Sequence, residues 1–182
     1  MEKKQGKPDP KLRRLLGIAS VIAGLLILAM VLMVLLVNKD GRETPEDAAE
    51  EYILFHARNK GKKLKEVLIP ADLQSEVSEY TKKLYDLPID EYIDRMLSEA
   101  NTGAQLRNIK VEVGMELTGT DVLDFQEAFY KAFHVTPAIE SLVRVSISYE
   151  VTGTFRYEYH PDWEPSGISV KCFKYKGRWY CY

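Results

Sequence analysis

The pattern of apolar and polar residues along this chain begins with one long apolar run. Residues 15–37 carry no charge and consist mostly of Leu, Ile and Val. A helix of that length extends about 34 Å, enough to cross a hydrocarbon core of about 30 Å with some tilt. A buried helix of a soluble domain would carry a polar face, which this run lacks. We therefore predict a transmembrane helix at residues 15–37.

A cleaved signal peptide is the main alternative for this run. Signal peptides have a shorter apolar region, followed by small residues at the cleavage site. Here the run leads into Asn38, Lys39 and Asp40, which offer no such site. We therefore expect the helix to remain in the mature chain.

The next part of the chain has the 3–4 residue apolar spacing of amphipathic helices. Thr44 is a good N-cap and Pro45 suits the first helical position, so a helix is predicted to begin there and to end at Gly61. Breaks at Pro70 and Pro88 divide the next helical region, which is predicted to end near Gly103. The apolar stripes of these helices are all predicted to face the core; they comprise Ala48, Ala49, Tyr52, Ile53, His56, Leu73, Val77, Tyr80, Leu84, Ile89, Tyr92, Ile93, Met96 and Leu97.

After residue 108 the apolar period changes to two, which is typical of strands buried on one face. A helix at residues 121–133 interrupts the strands, and Gly153 suggests a bulge. We place the next turn at residues 160–167, and a final hairpin at residues 168–175 and 178–182. The residues predicted to face inward are Ile109, Val111, Val113, Met115, Val143, Val145, Ile147, Tyr149, Val151, Ile168 and Val170.

This order of elements predicts an α+β fold after the membrane helix. The leading helices would pack on a curved antiparallel sheet and give a cone-shaped domain. The predicted organisation is a basic cytoplasmic stub at residues 1–14, the transmembrane helix, a polar linker at residues 38–43, and one domain at residues 44–182.

The distribution of charge along the chain predicts its orientation in the membrane and the classes of partner that it can bind. The stub holds six Lys or Arg residues, and only Lys39 and Arg42 follow closely on the other side of the run. This asymmetry places the N-terminus in the cytoplasm and the domain outside. The basic stub favours anionic lipid headgroups, so membrane lipid is one expected partner. The acidic remainder of the chain argues against nucleic acid.

The two cysteines are predicted to meet in the final hairpin. A two-residue turn at Lys176 and Gly177 would bring Cys172 opposite Cys181, in a pair that is not hydrogen bonded. Such pairs hold their Cα atoms near 4.5 Å, within the range that a disulfide accepts. A structural disulfide is the leading prediction, and two packed thiols remain the alternative. A redox-active pair is disfavoured because no C-x-x-C motif is present.

No motif in the sequence predicts catalysis, a cofactor or a bound metal. The expected strand interior is apolar, and no nucleophile, metalloprotease or phosphate-loop motif is present. His56, His134 and His160 lack the spacing of metal ligands, so each is read as a structural residue. We therefore predict a non-enzymatic protein.

One face of the final hairpin is rich in residue types that are enriched at protein interfaces. The candidate interface residues are Phe173, Tyr175, Arg178, Tyr180 and Tyr182. The alternative is that the chain covers this face itself, with the loop around Trp163.

The helix start TPEDAAEEY and the closing YKGRWYCY, together with the order of elements, resemble the nuclear transport factor 2-like, or cystatin-like, superfamily. The resemblance implies the cone fold over residues 44–182. The chain is similar to the membrane-anchored bacterial members of this superfamily, which have no assigned activity. The superfamily includes enzymes, ligand carriers and assembly subunits, so it does not imply one function.

The predicted function is therefore an interaction or scaffolding module at the cell envelope, with a protein partner or a homodimer. A subunit of a secretion or other envelope complex is one form of this prediction. The alternative is a binder of small apolar ligands, which requires an enclosed pocket between the first helix and the sheet.

Overall fold

A computed structural model describes residues 40–182. The predicted stub and transmembrane helix, residues 1–14 and 15–37, lie outside the described residues. Within residues 40–182, no helix is long and apolar enough to cross a membrane. One compact unit spans Asp40–Tyr182, so residues 40–43, which the sequence assigns to the linker, belong to the folded domain.

Five helices and four strands make up the described domain. The helices are α1 Pro45–Ala57, α2 Gly61–Leu68, α3 Gln74–Tyr85, α4 Ile89–Ala100 and α5 Thr120–Phe133, with a 3₁₀ turn at Ala71–Leu73. The strands are β1 Thr102–Glu116, β2 Ser141–Phe155, β3 Glu158–Tyr175 and β4 Arg178–Cys181. The strands form one antiparallel sheet in the order β1-β2-β3-β4, which confirms the predicted α+β class.

The first helix begins as predicted but ends earlier. The Thr44 hydroxyl accepts a hydrogen bond from the Asp47 backbone N–H at 3.1 Å, and Pro45 takes the first helical position. The prediction that Gly61 ends this helix is wrong, because Gly61 begins α2. Its N–H donates to the Asp94 carboxylate at 3.0 Å, and an added Cβ would lie 2.1 Å from that side chain. Close approach of α4 is therefore the reason for glycine here.

The predicted inward face is correct for β2 and wrong for the end of β1. The odd-numbered residues of β2 from Val143 to Val151 are buried, and the register shifts before Gly153, as expected for a bulge. Strand β1 has three register shifts, of which two flank residues 110–113 and one lies at Thr102 and Gly103. Each bulge inserts a residue and changes which side chains face inward. Met115 lies within the shift between Val113 and Glu116 and is 77% exposed. Val113 keeps the predicted face, opposite the buried Val145, but it is 37% exposed on this outer strand.

The predicted turn at residues 160–167 is also wrong. The chain turns at Arg156 and Tyr157, both with positive φ, and residues 160–167 belong to β3. Pro161 and Pro165 lie within this strand. They are tolerated because β4 pairs only with the last residues of β3, which leaves the earlier part at an edge of the sheet.

Two apolar clusters hold the domain together, one on each face of the sheet. The first packs α1, through Ala48, Ala49 and Ile53, against the inward residues of β2. The second joins α2–α5 to the other face at the closing hairpin, with Phe125 and Phe129 of α5 against Phe173. The hairpin is therefore covered on both faces.

Candidate interaction surfaces

The closing hairpin has the predicted register. Tyr175 pairs with Arg178, and three positions further out Cys172 pairs with Cys181. Their Cα atoms are 4.2 Å apart and the two sulfurs form a disulfide, so the predicted disulfide is confirmed. Both cysteines are fully buried in the cluster between α1 and the sheet, which gives the bond a structural position.

The candidate interface of the hairpin does not form a free surface. Phe173, Tyr175 and Tyr180 are buried, and Tyr182 packs edge-on against the phenylalanines of α5. The Tyr175 hydroxyl donates to the Asp72 carboxylate at 2.8 Å. Burial is the main reason that the pKa of Tyr180 rises to about 12. The domain covers this face itself, but with helices and the 3₁₀ turn rather than with the loop around Trp163.

Arg178, the charged member of that set, is also held within the domain. One of its guanidinium nitrogens donates to the Gly41 carbonyl at 3.1 Å. The neighbouring Arg42 exchanges two backbone hydrogen bonds with Trp179, each 2.8 Å long. Residues 41–42 thus protect the outer edge of β4.

The space between α1 and the sheet is filled by side chains. Ile53 of α1 and Val145, Ile147 and Val151 of β2 are almost completely buried in one cluster. A cleft of about 280 Å³ lies at the end of α1, beside the first residues of β1, and Arg58 and Gln105 contribute to its lining. Packed side chains occupy the place where the apolar-ligand alternative requires an enclosed pocket.

Asn101 is the centre of a buried polar cluster that the sequence did not predict. Its side-chain amide donates to the His56 carbonyl at 2.8 Å and to the Asn59 side chain at 3.0 Å. Its side-chain oxygen accepts from the Arg156 backbone N–H at 3.0 Å. Asn101 thus joins the ends of α1 and α4 to the β2–β3 turn. No local motif marks this residue, because its partners come from distant parts of the chain.

The His56 imidazole lies beside this cluster, with its ring edge-on to Phe155 at 5.4 Å. Burial is the main reason that its pKa falls from 6.5 to about 4, and the Arg156 guanidinium acts in the same direction. His56 is therefore neutral at physiological pH. Its surroundings are those of a packed residue.

The three histidines lie in separate surroundings. His134 stacks on Tyr80 with ring centroids 4.7 Å apart. His160 pairs with Glu164 at 2.9 Å. Among residues 40–182, no group of histidine, cysteine and acidic side chains has the arrangement of a metal site.

The outer edge of β1 is the clearest exposed apolar surface. We define the β1 edge as residues 109–115. Within it Val113 and Met115 are exposed. Within the described residues β1 pairs only with β2, so the backbone groups on its other side have no strand partner. Exposed apolar side chains beside an unpaired strand are typical of surfaces that bind another chain.

A second exposed feature is a shallow cleft of about 470 Å³ on the sheet, between β1 and β3. Beside it the Glu150 carboxylate accepts hydrogen bonds from Arg107 at 2.7 Å and from Asn108 at 2.9 Å. The Arg107 guanidinium also lies 4.2 Å from the centre of the Trp163 ring. These side chains form hydrogen bonds and a cation–π contact with one another, so the cleft presents fewer unpaired groups than the β1 edge does.

No protein-family model, curated protein or solved structure matches this chain. The resemblance to the nuclear transport factor 2-like superfamily therefore stays a prediction from the sequence. The surfaces described above are the basis on which a function can be argued.

Proposed function

We propose that this chain is a single-pass membrane protein whose domain is a non-enzymatic interaction or scaffolding module of the cell envelope. In this proposal residues 15–37 cross the membrane, the N-terminus is cytoplasmic, and the domain lies outside. A subunit of a secretion or other envelope complex is one form of this function.

The β1 edge is the observation that carries the interaction part of the proposal. Within residues 40–182, the 15-residue strand β1 has one side without a strand partner, and Val113 and Met115 near its C-terminal end are exposed. A bound strand or peptide would satisfy the backbone groups and cover Val113 and Met115 at the same time. The hairpin at the opposite side of the sheet is already covered by the domain.

Two observations support a domain outside the cytoplasm. The basic residues are concentrated before the apolar run, as the positive-inside rule requires for this orientation. The disulfide between Cys172 and Cys181 is of a kind that persists in oxidising compartments and is rare in the cytosol.

The buried polar groups support a structural rather than a catalytic role. The NH2 group and the oxygen of the Asn101 side chain both have hydrogen-bond partners, which belong to the backbone and to the Asn59 side chain. His56 is neutral and packed against aromatic rings. Each of these groups connects elements of the fold, and we assign them to stability.

Photocrosslinking tests the interaction part. A photoreactive phenylalanine analogue in place of Met115 is expected to give a discrete adduct when cells that express the full chain are irradiated. The matched control is the same analogue in place of Lys62, an exposed residue of α2. An adduct at position 62 but not at position 115 would contradict the proposal, and so would the absence of adducts at both.

Cysteine labelling tests the topology. The chain has two cysteines, which are joined to each other, so an introduced cysteine is the only free thiol. A membrane-impermeant maleimide added to cells stripped of their wall should label Lys62→Cys without lysis. It should label Gln5→Cys, in the stub, only after lysis. The reverse result would show that the orientation is wrong.

A further inference from the structure

The part of the β1 edge with regular geometry is short and well defined. Lys110, Val111, Glu112 and Val113 pair in an unbroken register with β2, and a register shift lies on each side of them. Lys110 and Glu112 are exposed and lie opposite Ser148 and Ser146 of β2. Any strand added at the β1 edge in regular pairing would therefore lie along these four residues.

The charges on this segment select one register for pairing with a second copy. When two copies pair antiparallel about a two-fold axis normal to the sheet, directly opposed residues have their side chains on the same face. Because neighbouring residues of a strand lie on opposite faces, the axis must pass through a residue that opposes its own copy. An axis at Lys110 would oppose two lysines, and an axis at Glu112 would oppose two glutamates. An axis at Val113 would run the pairing through the second bulge. An axis at Val111 opposes each Lys110 to Glu112 of the second copy.

We propose that the partner of the β1 edge is a second copy of this chain, paired antiparallel about Val111. The two four-stranded sheets then form one continuous sheet of eight strands. Val111 lies opposite itself, and two Lys110–Glu112 ion pairs form on the outer face. This inference rests on the proposed interaction function and identifies its partner.

The bulges and the charges of the β1 edge also make the association reversible. The bulges restrict regular pairing to four residues, and a lysine at an edge strand normally opposes uncontrolled pairing. The charge pattern permits this one self-complementary register while it disfavours its neighbours. Covalent trapping is therefore the suitable assay.

A cysteine at the two-fold axis tests the register. Val111→Cys in the full chain in mild detergent should form a disulfide-linked dimer, because opposed residues lie about 4.5–5.5 Å apart between Cα atoms. Val113→Cys is the matched control, since its own copy would lie about 13 Å away along the strand. Mass spectrometry of the bond between Cys172 and Cys181 checks that each variant retains the native pairing.

Charge reversal tests the ion pairs without any added cysteine. Glu112→Lys places like charges opposite each other at two symmetric positions and should weaken the dimer by about tenfold or more. The double variant Lys110→Glu with Glu112→Lys restores opposite charges and should return dimerisation to the wild-type level.

Three results overturn the inference. They are a Val113→Cys dimer equal to that of Val111→Cys, no dimer with either variant, and no rescue by the charge exchange. If a crosslink from position 115 to a different protein persists while the self-pairing fails, the interaction function stands and the partner is not a second copy. If no crosslink of either kind forms, both proposals fail.

Discussion

Among the single substitutions of polar side chains discussed here, replacement of Asn101 by alanine should destabilise the domain most. Asn101 is 2% exposed, and its side chain makes hydrogen bonds with the His56 carbonyl, Asn59 and the Arg156 backbone N–H. Asn101→Ala removes these three bonds and leaves the Arg156 N–H without this acceptor. The bond from the Asn59 side chain to the Asn101 backbone carbonyl remains available in the variant.

The size of the effect follows from the number of bonds. A hydrogen bond contributes about 1 kcal/mol net, and a buried group that loses its partner costs about 1–3 kcal/mol. We therefore expect the free energy of unfolding to fall by about 3 kcal/mol. For a domain with a typical stability of about 5–15 kcal/mol, this is a large fraction of the total.

Urea unfolding followed by tryptophan fluorescence measures this change. Both tryptophans of the chain, Trp163 and Trp179, lie in the described domain, so the signal reports its unfolding. Gln105→Ala is the control, because Gln105 is an exposed amide on β1, and it should change the free energy by no more than about 0.5 kcal/mol. A loss for Asn101→Ala as small as that of the control would refute the structural role of this cluster.

Three other perturbations test further parts of the fold. Because the folded-state pKa of His56 is about 4, below the unfolded value of 6.5, the unfolded chain binds this proton more readily between those values. Its contribution to stability, up to about 3 kcal/mol, is complete above pH 6.5 and is lost as the pH falls towards 4. Urea midpoints at pH 7 and 4.5 should therefore differ less in His56→Gln than in the wild type, and an equal difference in both would exclude His56 as the cause. Replacement of Cys172 and Cys181 together by alanine should lower the free energy of unfolding by at least about 2.5 kcal/mol, since the bond closes a loop of about ten residues; a denaturation midpoint equal to that of the wild type would contradict this. Gly153 and Gly177 both have positive φ, but an added Cβ at Gly153 would lie 2.4 Å from a backbone carbonyl oxygen, whereas at Gly177 it would have no neighbour within 4 Å. Gly153→Ala should therefore lower the melting temperature clearly more than Gly177→Ala does, and the opposite order would show that the bulge can relax.

The closing hairpin and β2 could be predicted because local rules determine them. A two-residue turn fixes the register of a hairpin, and Lys176 and Gly177 adopt the positive φ angles that such a turn needs. The face of β2 follows from strict alternation between Val143 and Val151, without an inserted residue.

The end of β1 could not be predicted in the same way. Alternation places Met115 inward only if the strand is regular, and a register shift lies between Val113 and Glu116. At the earlier shift, between Arg107 and Lys110, Asn108 has φ +55°. Asn is among the residues that adopt this conformation, so it is the one local signal of that bulge. Whether a strand lies at an edge depends on the sheet order, which alternation does not encode.

The burial of the tyrosine-rich hairpin face and the Asn101 cluster both depend on tertiary packing. Phenylalanine is a residue type that is common at interfaces, but α5 covers Phe173. Asn101 meets His56, Asn59 and Arg156 only once α1, α4 and the β2–β3 turn have come together. Residue type therefore indicated an interaction surface at the hairpin, and the fold places the exposed edge on β1 instead.

Amide hydrogen exchange of the full chain in mild detergent, compared between the wild type and Glu112→Lys, tests the central claim most directly. If the β1 edge pairs with a second copy, amides within residues 109–113 that point away from β2 exchange slowly in the wild type and quickly in the variant, while β2 is unchanged. Equal, fast exchange of these amides in both proteins would contradict the account.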